Sequence, residues 1–226
     1  MDEQLRTEFN EWARAGRCEG MEKAHRPVGE QAIAQMCISP DSRVLDVGCG
    51  SGWATRLLAG LAFNGSLTGI DISDEMIRVA REASHSFSNI DFQVASAEHL
   101  PFGNGEFTHA FSMESLYYYA NIPKAVSEIH RVLKPGGLFV TVVDLYWENE
   151  ASHQWIADLK VPVQLLRIEE YRSLFGDAGF VNIVDQRLID PTPIPETYKP
   201  SSFKSREDYE EYKRTGSLMV IGEVAK

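Results

Sequence analysis

The chain has 226 residues, 43% of them apolar, enough to bury the core of one domain with small additions. Its net charge of −11, from 33 acidic against 22 basic residues, argues against a nucleic-acid backbone as partner, which needs a basic face. No run of 18 apolar residues predicts a membrane span, the opening Met-Asp-Glu-Gln-Leu lacks the basic and apolar regions of a signal peptide, and Cys18, Cys37 and Cys49 show no metal-ligand spacing; the expectation is a reduced, cytoplasmic protein without membrane contact or metal site.

Along the chain, Leu5, Phe9 and Trp12 recur at helical spacing and predict an amphipathic helix over 3–14. Arg14, Arg17, His25 and Arg26 follow, as candidates to face a substrate acid or as plain solvated charges. Strands are predicted near 43–47, 67–72, 90–95, 107–113, 137–145, 181–189 and 217–225, and helices near 53–62, 74–84, 122–133 and 168–178. Such alternation is the signature of βαβ units in a mostly parallel sheet. Lys134-Pro-Gly-Gly137 reads as a helix stop that turns into the fifth strand. Two stretches fit no βαβ unit: 146–167, with Tyr146, Trp147, His153 and Trp155, and 190–215, which carries Pro191, Pro193, Pro195 and Pro200 before a charged run. The second is too long for a mere connector, and predicts a lid, a pocket wall or an oligomer contact.

The chemistry concentrates after the first strand. Val44-Leu-Asp-Val-Gly-Cys-Gly-Ser-Gly52 is a buried strand running into a turn with three glycines, followed by a helix from Trp53. A dinucleotide fingerprint needs Gly or Ala at the sixth position, where this chain has Trp53, and no Gly-Lys-Ser/Thr of a P-loop follows. Asp46 before the turn would repel a pyrophosphate and suits a ligand with an amino group. Asp71 ends the second strand, 23 positions after Gly48, where a doubly wound fold places the acceptor of ribose hydroxyl groups; Ile72 beside it can pack on a base, and Ser73 caps the next helix.

Further segments stand in the order and spacing of a known family: Gly69-Ile-Asp-Ile-Ser73 with Met76, Ala97-Glu-His-Leu-Pro-Phe102, Phe107 to Ser112, Glu128-Ile-His-Arg-Val-Leu-Lys-Pro-Gly-Gly137 and Leu174-Phe-Gly-Asp-Ala-Gly-Phe180. Over about residues 40–185 the chain resembles the class I S-adenosylmethionine-dependent methyltransferases of the small-molecule type. The resemblance implies an α/β, Rossmann-like three-layer sandwich whose seven-stranded sheet is parallel except for the last strand. It also implies a helical cap over 1–38, which covers the cofactor or only packs on the core, ahead of a methyltransferase domain over 39–226 with insertions at 146–167 and 190–215.

By position, the resemblance gives the methionine part of S-adenosyl-L-methionine to the backbone N–H groups and carbonyls of Gly48, Cys49 and Gly50, with Gly52 completing the turn, and has Asp46 orient the amino group, directly or through water. Asp71 takes the ribose, Ile72 and Met76 flank the adenine, and the Ala97 N–H meets a ring nitrogen. Relatives carry an acid before Ala97 where this chain has Ser96; Glu98 is the candidate to compensate. Ser112, Met113 and Glu114 end the fourth strand, which faces the transferring methyl. Where relatives carry a histidine, this chain has Tyr117, Tyr118 and Tyr119; a tyrosine is a poor base at neutral pH, so Tyr117 and Tyr118 are expected to orient a nucleophile or stack on a substrate. Glu114 or Asp144 is placed to accept a proton. The expected partner is a small-molecule methyl acceptor, not nucleic acid, and the protein a monomer or homodimer. The alternatives are a non-catalytic cofactor-binding protein and a dinucleotide oxidoreductase.

Overall fold

The computed structural model describes residues 2–197 and 202–226. Its centre is a seven-stranded sheet in the order β3-β2-β1-β4-β5-β7-β6, formed by β1 (Arg43–Val47), β2 (Ser66–Asp71), β3 (Ile90–Val94), β4 (Phe107–Met113), β5 (Leu133–Val143), β6 (Phe180–Leu188) and β7 (Ser217–Val224). β7 inserts between β5 and β6 and runs antiparallel to both; the neighbouring pairs from β3 to β5 are parallel. Strand order reverses between β1 and β4, so the crevice at their carboxyl ends is where such a sheet binds ligands.

Period-two alternation makes the layers. Ala110, Phe139, Val143, Leu218 and Val220 pack into one core, while their neighbours Phe111, Val140, Val142 and Met219 pack into another. The first is covered by α5 (Ile122–Val132) and α6 (Ile168–Asp177), through Val126, Ile129, Tyr171 and Phe175. The second is covered by α2 (Cys18–Ala34) and α3 (Trp53–Leu61), through Val28, Ile33, Trp53 and Leu58. The remaining helices are α1 (Asp2–Arg14), α4 (Asp74–Ala83) and α7 (Arg206–Thr215).

The strands and the five helices predicted from periodicity fall where expected, within a few residues, with one shift: β5 starts at Leu133, inside the Lys134-Pro-Gly-Gly137 turn. Leu133 pairs with Phe107, the register then slips before His109, and Gly136 adopts φ +76°, so the turn is an irregularity within the strand. Two helices were not predicted as such. α2 contains Pro27, whose missing N–H ordinarily ends a helix. α7 was hidden by its charge, although Ser205 caps it by accepting the Asp208 N–H at 3.0 Å, and acids lead while Lys213 and Arg214 trail. Residues 198–201, including Pro200 of the proline-rich stretch, lie outside the described residues. No described helix is long and apolar enough to cross a membrane.

Phe139 stacks on Phe175 with ring centres 4.9 Å apart and is fully buried. Phe139→Ala is expected to destabilise the fold by about 3–5 kcal/mol, read as a lowered midpoint in urea unfolding at unchanged slope.

Candidate active site

The carboxyl ends of β1, β2, β4 and β5 open into a cavity of about 1320 Å³. That exceeds the roughly 300–1,000 Å³ of a pocket for one small molecule and leaves room for two ligands side by side. α1 and α2 lend it Leu5, Phe9, Trp12, Met21 and His25, and the segments after β5 and β6 lend it Trp155, Phe203 and Tyr212. Both segments that fit no βαβ unit are therefore cavity walls.

The floor is set by hydrogen bonds between the glycine turn and the end of β2. Gly48 N–H and Cys49 N–H both donate to the Ile70 carbonyl, at 2.8 and 2.9 Å. Gly50 N–H donates to Asp71 Oδ2 at 3.0 Å, and Ser73 N–H to Asp71 Oδ1 at 2.9 Å. This corrects one expectation: the amide donors of Gly48, Cys49 and Gly50 are held by the protein itself, which leaves carbonyl groups and bare backbone surface to a ligand. Gly48 has φ +72°, and a Cβ there would stand 2.5 Å from Ser115 Cβ, so this position needs glycine for both conformation and space. Burial pushes the Asp71 carboxyl up to about 6, against the pull of its backbone donors.

Three of the residues expected at the site do not line the cavity. Asp46 is fully buried behind the turn, where its Oδ2 accepts the Thr55 hydroxyl at 2.6 Å in the first turn of α3. Ser112 is also buried, hydrogen-bonded at 2.6 Å to Ser115, which in turn meets the Tyr119 hydroxyl at 2.9 Å. Gly52 is the left-handed N-cap of α3, with φ +75°. These three shape the turn from behind, and a direct role for the Asp46 carboxylate toward a ligand gives way to a structural one.

Ile72, Met76, Ser96, Ala97, Glu98 and Met113 line the cavity as expected. Glu98 Oε1 accepts the Asn121 N–H at 2.9 Å, so this carboxylate is tied to the start of α5. The cap is clamped to the same edge. Asn10 accepts the Ser73 hydroxyl at 2.6 Å and donates to Asp74 at 3.0 Å, Arg6 pairs with Asp74 at 2.8 Å, and Arg14 pairs with Glu75 at 2.9 Å. These bonds fasten α1 over the first turn of α4, next to Asp71 and Ile72.

The remaining polar residues gather where β4 and β5 end. Tyr117 donates to Glu114 Oε2 at 2.7 Å, and Asp144 N–H donates to Glu114 Oε1. Tyr212 donates to Asp144 Oδ2 at 2.7 Å, and Ser217 donates to Asp144 Oδ1. His25 joins them from α2: its ring nitrogens and the two carboxylates offer atoms within 4.8 Å of one another. Spacing along the chain gave no hint of a His, Glu and Asp group assembled from positions 25, 114 and 144. Burial pushes Glu114 well up, and the nearby Asp144 charge adds to this; burial lowers His25, partly offset by Asp144. Burial also raises Tyr117 and Tyr118, so neither is a base. Tyr118 packs edge-on against Phe9 of the cap, ring centres 5.1 Å apart.

Residues 45–141 match the methyltransferase domain family. The methyltransferase solved in complex with the Haloferax volcanii Trm112 methyltransferase activator is 33% identical, with a TM-score of 0.90 over 97% of this chain and 98% of that one. An O-methyltransferase of Pyrenophora dematioidea is 31% identical over 190 residues, 80% of this chain and 68% of that protein. The O-methyltransferase cnsE of Penicillium expansum is 33% identical over 165 residues, 70% of this chain but 56% of that longer protein. The chain belongs to the class I S-adenosylmethionine-dependent methyltransferases.

The methyltransferase uses S-adenosylmethionine as its cofactor, and the dinucleotide alternative falls away. The cavity fits that molecule. It has a bare glycine backbone where a Cβ would clash, a carboxylate with both oxygens turned to the turn and the α4 start, and apolar Ile72 and Met76 beside it. One residue stood undistinguished in the sequence. His25 was a solvated charge or one of several candidates to face an acid, and only the approach of α2 to β4 and β5 sets it apart.

The buried Asp46 makes the fold pH-sensitive. Its carboxyl is pushed up to about 7 by burial, opposed by the Thr55 hydroxyl, whereas an unfolded aspartate titrates near ~4. Folding therefore takes up a proton between these values, and stability falls as pH rises from about 4 to 7. Asp46→Asn, which can keep accepting from Thr55, is expected to abolish this loss, a gain on the order of 4 kcal/mol over the parent at pH 8 and little difference at pH 4. Urea unfolding of both proteins across that range checks it.

Proposed function

We propose that this enzyme methylates a small, uncharged or cationic aromatic acceptor bound beside the cofactor under the N-terminal cap. The observation that carries the reading is the make-up of the cavity. Asp71, Glu98, Glu114, Asp144, Asp158 and Asp190 line it, against Arg17 as the one permanent cation among the described lining residues. Such a field disfavours an anionic acceptor and suits a sulfonium cofactor. Trp12, Trp155, Phe203 and Tyr212 supply flat apolar surface for a ring.

In this reading Asp71 accepts from the ribose hydroxyl groups, Gly48 to Gly50 give backbone surface to the methionine part, Ile72 and Met76 flank the adenine, and the Ala97 N–H meets a ring nitrogen. Ser96 and Glu98 border the adenine amino group, and Met113 lies toward the methyl. S-adenosylmethionine supplies a methyl group already activated by its sulfonium. What the chain adds is alignment and a dry pocket: α1, clamped through Asn10, Arg6 and Arg14, lies over the cofactor edge and keeps water from it. Tyr117 holds Glu114 in place, and Tyr118 braces the cap through Phe9. Residues 1–38 thus act as a cover for a methyltransferase domain over 39–226.

A second reading concerns assembly. The end-to-end likeness to the Haloferax volcanii protein supports an activator subunit as partner. Co-expression with a Trm112-type activator, followed by size-exclusion chromatography, is expected to give co-elution under this reading; separate elution removes it.

Asp71→Ala is expected to weaken S-adenosylmethionine binding roughly 10- to 150-fold, the ~1.5–3 kcal/mol of a hydrogen bond to a charged group. Calorimetry measures it, with Asp71→Asn as the variant that preserves shape. Unchanged affinity in both, with circular dichroism intact, removes the ribose assignment. Incubation of the enzyme with methyl-labelled cofactor and a panel of phenols, aromatic amines and aromatic acids is expected to label the first two classes and spare the acids.

A further inference from the structure

The group formed by His25, Glu114 and Asp144 has an unequal distribution of partners. All four carboxylate oxygens already accept from the protein: Glu114 from the Tyr117 hydroxyl and the Asp144 N–H, Asp144 from the hydroxyls of Tyr212 and Ser217. The His25 side chain has no hydrogen-bond partner among the described residues, yet one of its ring nitrogens lies within 4.8 Å of an oxygen of each carboxylate and the residue lines the cavity. Each carboxylate is held by two protein donors, whereas the imidazole side chain is held by none among the described residues and offers a nitrogen lone pair to an acceptor hydroxyl.

We propose that His25 is the general base of this methyltransferase and that its acceptor is a phenol or enol hydroxyl, with Asp144 and Glu114 as the acids that face the ring; the proposal rests on the small aromatic acceptor proposed above. The proton balance is simple. The acceptor O–H bond breaks toward an imidazole nitrogen while the oxygen lone pair forms the bond to the methyl carbon. The carbon–sulfur bond breaks with its electron pair left on sulfur. The products are the methyl ether, the neutral thioether and an imidazolium, which returns its proton to water when the site opens. The imidazolium forms beside two carboxylates, so the charge it gains is met where it appears. The groups facing His25 are Glu114 from the end of β4 and Asp144 from the end of β5, the latter bound by Tyr212 of α7. On its own helix, Glu22 is bound to Arg26 and Arg56, and does not enter this group.

The test compares two phenols, one un-ionised at the assay pH and one nitro-substituted and already ionised, each at saturating concentration so that the weaker binding of the anion in the acidic cavity does not enter kcat, in the full chain with labelled cofactor. His25→Asn is expected to lower kcat for the un-ionised phenol by about 10²–10⁴-fold, the usual contribution of a general base, and to lower it far less for the ionised one. His25→Gln guards against a folding defect and is expected to behave alike. An equal loss on both phenols, or no loss, overturns the proposal. A second readout needs no turnover: the His25 ring followed by nitrogen-15 NMR in the cofactor-free protein. Asp144→Asn is expected to lower the pH at which that ring charges, and an unmoved midpoint overturns the placement of His25 beside Asp144. Zinc binding in calorimetry that disappears in His25→Asn overturns the proposal in favour of a metal site. If the enzyme binds cofactor but methylates neither phenol while methylating an aromatic amine, the hydroxyl acceptor fails and the broader reading of an aromatic acceptor stands.

Discussion

The Asp71 carboxylate is the interaction on which the rest of the site depends. Through Gly50 N–H it fixes the glycine turn, and through Ser73 N–H it fixes the start of α4. Together with the Ile70 carbonyl, which accepts from both Gly48 and Cys49, it locks the ends of β1 and β2 into one rigid edge. A carboxylate held by two amides keeps its remaining lone pairs in fixed directions, so a ligand hydroxyl meets it without reorganisation. The arrangement is bought with desolvation: burial raises Asp71, and raises Asp46 behind it further still. A buried carboxyl in β1 and a desolvated one at the end of β2 are unfavourable to folding at neutral pH, a cost that is tolerated where function requires it.

The same edge organises the cap. Ser73 caps α4 by accepting the Met76 N–H at 3.0 Å, and its own hydroxyl donates to Asn10 of α1. One serine therefore links the ribose-side loop, the first turn of α4 and the cap. The salt bridges around it, Arg6 with Asp74 and Arg14 with Glu75, are largely exposed on the arginine side and contribute little each. Asn10 and Ser73 sit closer to the core and make the specific contact. These polar contacts add to an apolar seat, because Leu5 of α1 is buried in the core, Phe9 packs edge-on against Tyr118, and α2 covers the other face through Val28 and Ile33.

The fold was legible in the sequence because β1, β2, β4 and β5 run into a glycine or an acid at their carboxyl ends, and because the motifs keep fixed spacing. Asp71 was legible for the same reason: the end of β2 is a place that topology defines. Asp46 misled because its position next to the turn says nothing of the direction of its side chain, and the pleat turns it toward Thr55. The amides of the turn misled similarly, since their partner, the Ile70 carbonyl, lies on another strand. α7 carried its caps and charge gradient in plain view, but the prolines before it drew the reading toward a loop. His25 was invisible as a special residue, because a lone histidine in a helix acquires meaning only from what the helix is packed against.

Parallel pairing explains why the acids meet at all. Ser112 pairs with Thr141 and Met113 with Val142, so residues 114 and 144 emerge side by side although 30 positions separate them along the chain. A base delivered by either strand would stand in line with those acids and share their hydrogen bonds. The histidine that faces them comes instead from α2, and its side chain lines the same cavity. The three tyrosines at 117–119 each take a bracing task at the strand end: Tyr117 on Glu114, Tyr118 on Phe9, Tyr119 on Ser115. The strand end is thus filled by supporting contacts, and the histidine of the group comes to it from another layer, on α2.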